Sequence, residues 1–276
     1  MKAKQIIVLA LCAVLLLGGI TAVAYPMVSS WYIANHRSEV GSSYDAAVAA
    51  EQNVLDTIRA SAVEWNRQLA NGEIDPLKPE ENGYTEQLVL DGVDAMGYIE
   101  IPAISVVLPI YHGVSSTALS KGVGHMPQSS LPVGGETTHA VLSAHTGMAG
   151  NPGFSDLETL REGDVFSLHV LGDTLTYRVT GIQTVLPAQV EHIQIQHGQD
   201  LCTLITCTPF GVNSHRLLVT GERVEAADED VDTPIQTEEA PRESVWAQHY
   251  RQAVLAGGGI ILLALVLAIL IRRRKK

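Results

Sequence analysis

The stretch TLITCTPFGVNSHR, residues 203–216, carries the strongest structural signal in this 276-residue chain. A β-prone run ends at Cys207, a turn containing Pro and Gly follows, and Arg216 opens a second β-prone run. The pattern predicts a hairpin with a thiol at the end of one strand and a guanidinium on the neighbouring strand. A thiol that attacks a carbonyl needs such a neighbour, because its thiolate is the nucleophile and the developing oxyanion needs donors.

Two uncharged apolar runs, residues 6–28 and 253–271, are each long enough to cross a bilayer. Basic residues precede the first run in the tail 1–5 and follow the second in the tail 272–276. The positive-inside rule therefore predicts two cytoplasmic tails and an extracellular chain between the spans. A cleaved signal peptide is the alternative for the first run, because Ala22-Val23-Ala24 fits a small-x-small cleavage site.

The net charge of −12 is unevenly distributed along the chain. The two tails hold 7 of the 18 basic residues and none of the 30 acidic ones, so the chain between them carries −19. A surface this acidic argues against nucleic acid and against anionic lipid as partners. An acidic coat that keeps the protein soluble is the plainer explanation for most of these carboxylates.

Two of the three cysteines, Cys202 and Cys207, lie outside the apolar runs and five residues apart in one predicted strand. At about 3.3 Å per residue their Cα atoms would be roughly 16 Å apart, with side chains on opposite faces. A disulfide needs Cα atoms within about 7 Å, so both are predicted to be free thiols. Cys202 could be a small core residue, whereas Cys207 has the features of a reactive thiol.

Composition divides the extracellular chain into three parts. Residues 29–92 begin with helical periodicity, up to residue 71, and end in an exposed loop rich in Pro, Gly and acids. Residues 93–224 contain short β-branched runs, which predict a closed or nearly closed β-barrel. The runs are 97–101, 104–110, 139–144, 164–171, 175–187, 201–207 and 216–224. Residues 225–252 form an acidic linker to the second span.

Cys207 needs a base, and His145 is the strongest of ten candidate histidines. It follows the apolar run Ala140–Ala144 and precedes Thr146-Gly147, so it lies at a strand-to-loop switch as Cys207 does. His112, His125 and His139 are weaker candidates in ordinary turn or strand contexts. His215 is a rival because it adjoins Arg216, but in a strand only one of these two side chains can face Cys207.

These segments together resemble the class C, pilus-assembling sortases. The resemblance covers about residues 40–224 and includes the two-span topology. It rests on TLITCTPFGVNSHRLLV at 203–219 and, in the same order as in that family, on GYIEIP at 97–102, LPIYHG at 108–113, GVGH at 122–125, SSLPVGG at 129–135 and LSAH at 142–145. It implies a mainly β fold: a closed eight-stranded sortase-type barrel with N-terminal helices, flanked by two transmembrane helices. The family's arginine after the histidine is replaced here by Thr146.

The resemblance also implies a cysteine transpeptidase of the cell surface. Cys207 would attack the Thr–Gly carbonyl of an LPxTG-like sorting signal, and His145 would protonate the leaving amine and later deprotonate the incoming one. Arg216 would hydrogen-bond the substrate backbone and the oxyanion. The acceptor would be a lysine amine of a pilin. This chemistry requires neither a metal nor an organic cofactor.

A lid is the last feature that the resemblance implies. Class C sortases often carry an Asp-Pro-aromatic motif before the barrel, and the matching residues here are Asp75, Pro76 and Leu77. Leucine can fill an apolar pocket but cannot stack as a ring does, which would make the lid looser. The alternative for these three residues is an ordinary acidic loop. For the whole chain, the alternatives are a sortase that anchors proteins to peptidoglycan and a non-enzymatic, membrane-tethered β-barrel binding module.

Overall fold

The computed structural model describes residues 18–19, 39–148, 151–189, 193–224, 254–255 and 257–258. Contacts divide the chain into a unit of residues 36–244 and a unit that combines residues 1–35 and 245–276. In the second unit the few described residues are helical. Within the described ranges, no helix has the length and apolarity to cross a membrane. The predicted spans lie almost wholly outside these ranges, as does the acidic linker, and they stay predictions.

The unit of residues 36–244 begins with helices and continues as a sheet. Residues 39–50 form helix α1, α2 spans Leu55–Ala70 and α3 spans Ser116–Lys121. The strands in the described part are β1 Gly97–Ile101, β2 Val106–His112, β3 Val123–His125, β4 Thr138–Ser143, β5 Thr146–Met148, β6 Asn151–Gly153, β7 Val165–Val170, β8 Asp173–Val185, β9 Asp200–Thr208 and β10 His215–Arg223.

Eight of these strands close into a barrel in the order β1-β2-β3-β4-β9-β10-β8-β7, which confirms the predicted closed eight-stranded barrel. The pairs β2–β3 and β4–β9 are parallel, and the remaining barrel pairs are antiparallel. The seven predicted strands are all present with small shifts at their ends. The short strands β3, β5 and β6, of three residues each, were not predicted, because three residues are too few to show a period of two.

Strands β4 and β9 are buried on both faces over most of their length. Strand β1 alternates between buried and half-buried residues, as a strand with one covered face should. Strand β9 is buried without interruption from Leu201 to Thr206. Its even-numbered residues Cys202 and Leu204 belong to the barrel core. Ile205 belongs to a separate apolar cluster on the outer face.

Helix α2 packs on the barrel through an apolar stripe. Its buried residues recur at three- to four-residue spacing: Leu55, Ala62, Trp65, Asn66 and Leu69. Asn66 is 3% exposed and bonds twice to the Leu131 backbone, donating from Nδ2 to the carbonyl oxygen at 3.0 Å and accepting from the amide at Oδ1. The helical prediction is therefore confirmed for most of residues 39–70, and residues 29–38 lie outside the described ranges.

The prediction that residues 71–92 form an exposed loop is correct only for the first half. Residues 71–83 are mostly exposed, but Tyr84, Leu88 and Leu90 are buried. Tyr84 packs against Trp65 of α2, and its hydroxyl accepts a hydrogen bond from the Gly113 amide at 3.0 Å. The second half is thus part of the core between α2 and the barrel. Single apolar residues in short 3₁₀ turns have no periodicity that the sequence could reveal.

Candidate active site

Cys207 lies near the C-terminal end of β9, half-buried and with a free thiol. Side chains alternate along a strand, so Cys207 shares a face with Ile205 and not with the core residue Cys202. Cys202 is fully buried and also unpaired, which confirms that the two cysteines form no disulfide. Burial raises the pKa of the Cys202 thiol well above its usual value, so Cys202 is an inert core residue.

Arg216 is the direct cross-strand partner of Cys207, as the hairpin interpretation predicts. Side chains of opposed residues in an antiparallel pair project from the same face with Cβ atoms about 5 Å apart. The Arg216 guanidinium donates from Nη1 to the carbonyl oxygens of Asn213 at 3.3 Å and His215 at 3.0 Å. His215 pairs with Thr208 instead, so it projects from the opposite face and is not the residue opposite the thiol.

His145 lies at the same level of the sheet as Cys207, on the side of β9 that faces β4 and not β10. Strands β4 and β9 run parallel with Ser143 aligned to Ile205. The alignment continues past the end of β4, where the Ala144 amide donates to the Ile205 carbonyl at 3.1 Å and Thr146 Oγ1 donates to the Cys207 carbonyl at 2.8 Å. His145 lies between these two links and is therefore beside Cys207 in the alignment.

The backbone of His145 is fixed by the β5–β6 hairpin that follows it. Its carbonyl oxygen accepts from the Phe154 amide at 2.9 Å. Gly153 approaches so closely that an added Cβ would lie 2.3 Å from this oxygen, and its φ of +51° also favours glycine. His145, just beyond the end of β4, Cys207 on β9 and Arg216 on β10 consequently form one row on the outer face.

Two threonines beside this row were not predicted as site residues. Thr206 is buried and donates from Oγ1 to the Ala144 carbonyl at 2.9 Å. Its hydroxyl also contacts that of Thr146, which in turn donates to the Cys207 carbonyl. The two hydroxyls therefore join the histidine-bearing segment to the cysteine-bearing strand. Their positions directly after His145 and directly before Cys207 are the only sequence signal for this role.

A small pocket opens beside Cys207. Nine described residues line it: Thr146, Phe154, Ser155, Glu158, Thr206, Cys207, Thr208, Phe210 and Leu217. Glu158 is the one charged side chain among these nine. Phe210, in the turn between β9 and β10, is 56% exposed and lies at the rim of this pocket.

An apolar cluster lies next to the row on the same outer face. It consists of Val141, Val185, Ile205 and Leu218, with Met126 and Ile193 packed against it. Ile205 and Leu218 are cross-strand partners two residues before Cys207 and two residues after Arg216, respectively. The four core members are only 0–7% exposed, so the cluster is a second buried core beside the row.

A larger cavity of about 630 Å³ lies elsewhere on the barrel. Its lining includes Asp200, Glu222 and Arg223. Asp200 is seven residues before Cys207 on β9, which corresponds to about 23 Å of extended chain. This cavity is therefore remote from the thiol.

The weaker histidine candidates have structural roles. His125 is fully buried, its Nε2 lies 2.8 Å from the Ser130 carbonyl and its Nδ1 2.9 Å from the Tyr84 hydroxyl. His139 is also buried, between the Gln194 carbonyl and the Thr203 hydroxyl. Burial lowers the pKa of His125 to about 4 and also lowers the pKa values of His139 and His112.

Asp75, Pro76 and Leu77 lie in the exposed half of the loop before the barrel. Asp75 Oδ1 accepts from the Leu77 amide at 2.9 Å, and Asn82 Nδ2 donates to the Asp75 carbonyl at 2.9 Å. Leu77 is 80% exposed, and none of the three residues lines the pocket beside Cys207. Their role as a lid stays a prediction.

Comparison with known proteins agrees with this geometry. Residues 99–224 match the Sortase domain family. The sortase A of Streptococcus agalactiae serotype III (strain NEM316) is 36% identical over 116 residues, which are 41% of this chain and 47% of that protein. The chain thus aligns with about half the length of that relative.

Crystal structures extend the likeness over more of the chain. Sortase C1 of Streptococcus agalactiae is 40% identical with a TM-score of 0.63, and the match covers 68% of this chain and 98% of that one. Sortase C of Clostridium perfringens, solved with the C-terminal cell wall sorting motif, is also 40% identical, with a TM-score of 0.59 and coverage of 68% and 98%. Because residues 99–224 match the Sortase domain family and each alignment covers 98% of the sortase C structure, this chain belongs to the class C sortases.

Proposed function

We propose that this chain is a membrane-anchored cysteine transpeptidase that cleaves an LPxTG-like sorting signal between Thr and Gly and joins the product to a lysine amine of a pilin. The observation that carries the proposal is the row of His145 just beyond β4, Cys207 on β9 and Arg216 on β10. The structure of the Clostridium perfringens sortase C with a sorting motif supports the substrate class.

In the first half-reaction the Cys207 thiolate attacks the threonine carbonyl carbon, and a C–S bond forms. The carbonyl oxygen becomes an oxyanion, which Arg216 stabilises by donating from its guanidinium. The C–N bond to glycine then breaks as His145 delivers a proton to the leaving amine. The product is a thioacyl enzyme with neutral His145.

In the second half-reaction a lysine amine attacks the thioacyl carbonyl. A C–N bond forms, His145 accepts a proton from the attacking nitrogen, and the C–S bond breaks to restore the thiolate. Arg216 again stabilises the oxyanion.

Two features complete the proposal. The two predicted spans, residues 6–28 and 253–271, anchor the enzyme with its catalytic domain outside the cell. The loop containing Asp75, Pro76 and Leu77 acts as a lid that limits access to Cys207. A sortase that transfers proteins to a peptidoglycan amine uses the same first half-reaction, so the two functions differ only in the acceptor.

Deletion of the acyl-forming thiol tests the function in cells. We expect Cys207→Ala to abolish the high-molecular-weight ladder of detergent-resistant surface polymers on gels, whereas Cys202→Ala, which removes the other described thiol, should keep it. A ladder that persists in the Cys207→Ala strain would reject the transpeptidase and favour a binding module. Loss of wall-linked monomers, with polymers unaffected, would instead identify an anchoring sortase.

A further inference from the structure

Four residues before Cys207, on the same face of β9, a chain of buried polar side chains crosses the outer face of the barrel. His139 of β4 and Thr203 of β9 are both 0% exposed. His139 Nε2 lies 2.7 Å from Thr203 Oγ1, which lies 2.8 Å from the hydroxyl of its cross-strand partner Thr220 on β10. The other ring nitrogen, Nδ1, lies 2.8 Å from the Gln194 carbonyl oxygen. The chain thus joins three strands to the segment that precedes β9.

The donors and acceptors of this chain fix its direction. A backbone carbonyl oxygen can only accept, so His139 Nδ1 carries the proton and donates to Gln194. His139 Nε2 is then an acceptor for the Thr203 hydroxyl, which accepts in turn from Thr220. Burial lowers the pKa of His139 and so favours the neutral ring that this direction requires. A buried network in which each member has its partner holds one arrangement of the elements it joins.

Gln194 belongs to residues 193–199, a segment that leads into β9 and is held at both of its ends. Near β9 the Gln199 carbonyl accepts from the Thr138 amide at 3.0 Å. At the other end the hydrogen bond comes from a side chain, that of His139. His139 therefore determines where the first residues of this segment lie.

Ile193 adjoins this hydrogen bond in the chain and packs on the second buried core beside the row of catalytic residues. That core includes Ile205, two residues before Cys207 on the same face of β9. It also includes Val185 of β8, the direct cross-strand partner of Arg216. Opposed residues of an antiparallel pair project from the same face, so the Arg216 side chain lies beside this core. A shift of Ile193 would therefore change the packing that supports Arg216.

We propose that His139 is a positioning residue that acts on Arg216 through Ile193. Its hydrogen bond to Gln194 keeps Ile193 on the second buried core. That core in turn holds Arg216 in line with Cys207, because a close-packed interior transmits a local gap to the side chains around it. The polar chain lies about 13 Å from the thiol along β9, so His139 takes no part in the bond changes. This inference deepens the proposed function and rests on it.

Two substitutions separate the two hydrogen bonds of His139. His139→Asn keeps an amide nitrogen near the position of Nδ1, which can donate to Gln194, whereas His139→Gln reaches the position of Nε2 and keeps only the contact with Thr203. Each variant leaves a buried group without its partner, so both should lower Tm. In the full chain in detergent, with an LPxTG peptide, His139→Gln should slow thioacyl formation about tenfold and His139→Asn less than twofold. Mass spectrometry of the adduct on Cys207 gives the rates.

A double-mutant cycle tests whether the effect passes through Ile193. Ile193→Ala should slow thioacyl formation by about the same factor as His139→Gln. The double variant should be no slower than either single one, because both changes break the same connection. Ile195→Ala is the matched control, since it removes the same side-chain volume from the same segment but from the main core. It should lower Tm and change the rate less than twofold.

Equal rates in the asparagine and glutamine variants, additive effects of His139→Gln and Ile193→Ala, or equal slowing by Ile195→Ala would each overturn the inference and leave the transpeptidase intact. If His139→Gln does not fold, the comparison of Ile193→Ala with Ile195→Ala decides alone. Absence of any thioacyl adduct on wild-type Cys207 would instead overturn the proposed function, and the inference with it.

Discussion

At the scale of single residues, the alignment of the site depends on side chains that need not touch the substrate. Strand β4 ends at Ser143, so backbone pairing alone does not extend to the level of His145. Beyond that point the Thr146 and Thr206 hydroxyls bond to the Cys207 and Ala144 carbonyls across the two segments. A misplacement of about 1 Å between base and nucleophile can cost a factor of about 100 in rate. We therefore predict that Thr146 acts as a positioning residue.

Thr146→Val tests this role with nearly the same side-chain volume. The substitution removes the donor to the Cys207 carbonyl, and we expect thioacyl formation to slow about tenfold, with a loss of about 1 kcal/mol in folding stability. Thr146→Ser keeps the hydroxyl and should restore most of the rate. The measurement is the rate of adduct formation on Cys207 by mass spectrometry. Equal rates in the valine and serine variants would show that the hydroxyl does not position the site.

At the scale of elements, the sequence predicted the parts of the fold that repeat a pattern. Several of the longer strands and α2 have buried residues at a period of two or about 3.6, β4 and β9 are β-prone apolar runs, and the hairpin at residues 203–216 has its own turn chemistry. Tyr84 and the strands of three residues are determined by contacts with distant parts of the chain. Tyr84, for example, is fixed by His125 and Gly113. No local pattern encodes such contacts.

In the candidate site too, the residues that could be predicted are those that lie in a local sequence pattern. Cys207 and Arg216 could be predicted as neighbours because a short turn connects their strands. His145 was selected from ten histidines by its place after an apolar strand and by the family resemblance, and the parallel β4–β9 pairing aligns that place with Cys207.

The loop of Asp75, Pro76 and Leu77 is the element whose role most needs a test. It is braced by its own hydrogen bonds, and Arg67 of α2 bonds to both Glu64 and Glu73 at its base. If this loop is a lid, deletion of residues 73–80 should raise the rate at which a thiol reagent labels Cys207. Leu77→Ala should change the rate less than twofold, because Leu77 is already 80% exposed. A deletion variant with the wild-type labelling rate would rule out occlusion.

At the scale of the whole molecule, buried neutral histidines connect the loop before the barrel to the barrel itself. Nε2 of His125 faces a carbonyl oxygen that can only accept, so Nε2 carries the proton and Nδ1 accepts from the Tyr84 hydroxyl. Tyr84 stacks on the same imidazole ring. A second proton would place a cation in the core with no carboxylate among its hydrogen-bond partners. The fold therefore depends on His125 remaining neutral.

This dependence predicts how stability changes with pH. Burial lowers the pKa of His125 from 6.5 to about 4, so between these values the unfolded chain binds a proton that the folded protein does not. Through His125, the free energy of unfolding should fall by about 3 kcal/mol as the pH drops from 6.5 towards 4. Above pH 6.5 this residue should make no pH-dependent contribution. His112 and His139, whose pKa values are also lowered, act in the same direction.

Urea unfolding of the full chain in detergent, between pH 4 and 6.5, measures the slope of the unfolding free energy against pH. His125→Asn should be less stable at neutral pH but should have a shallower slope, and an unchanged slope would refute the assignment.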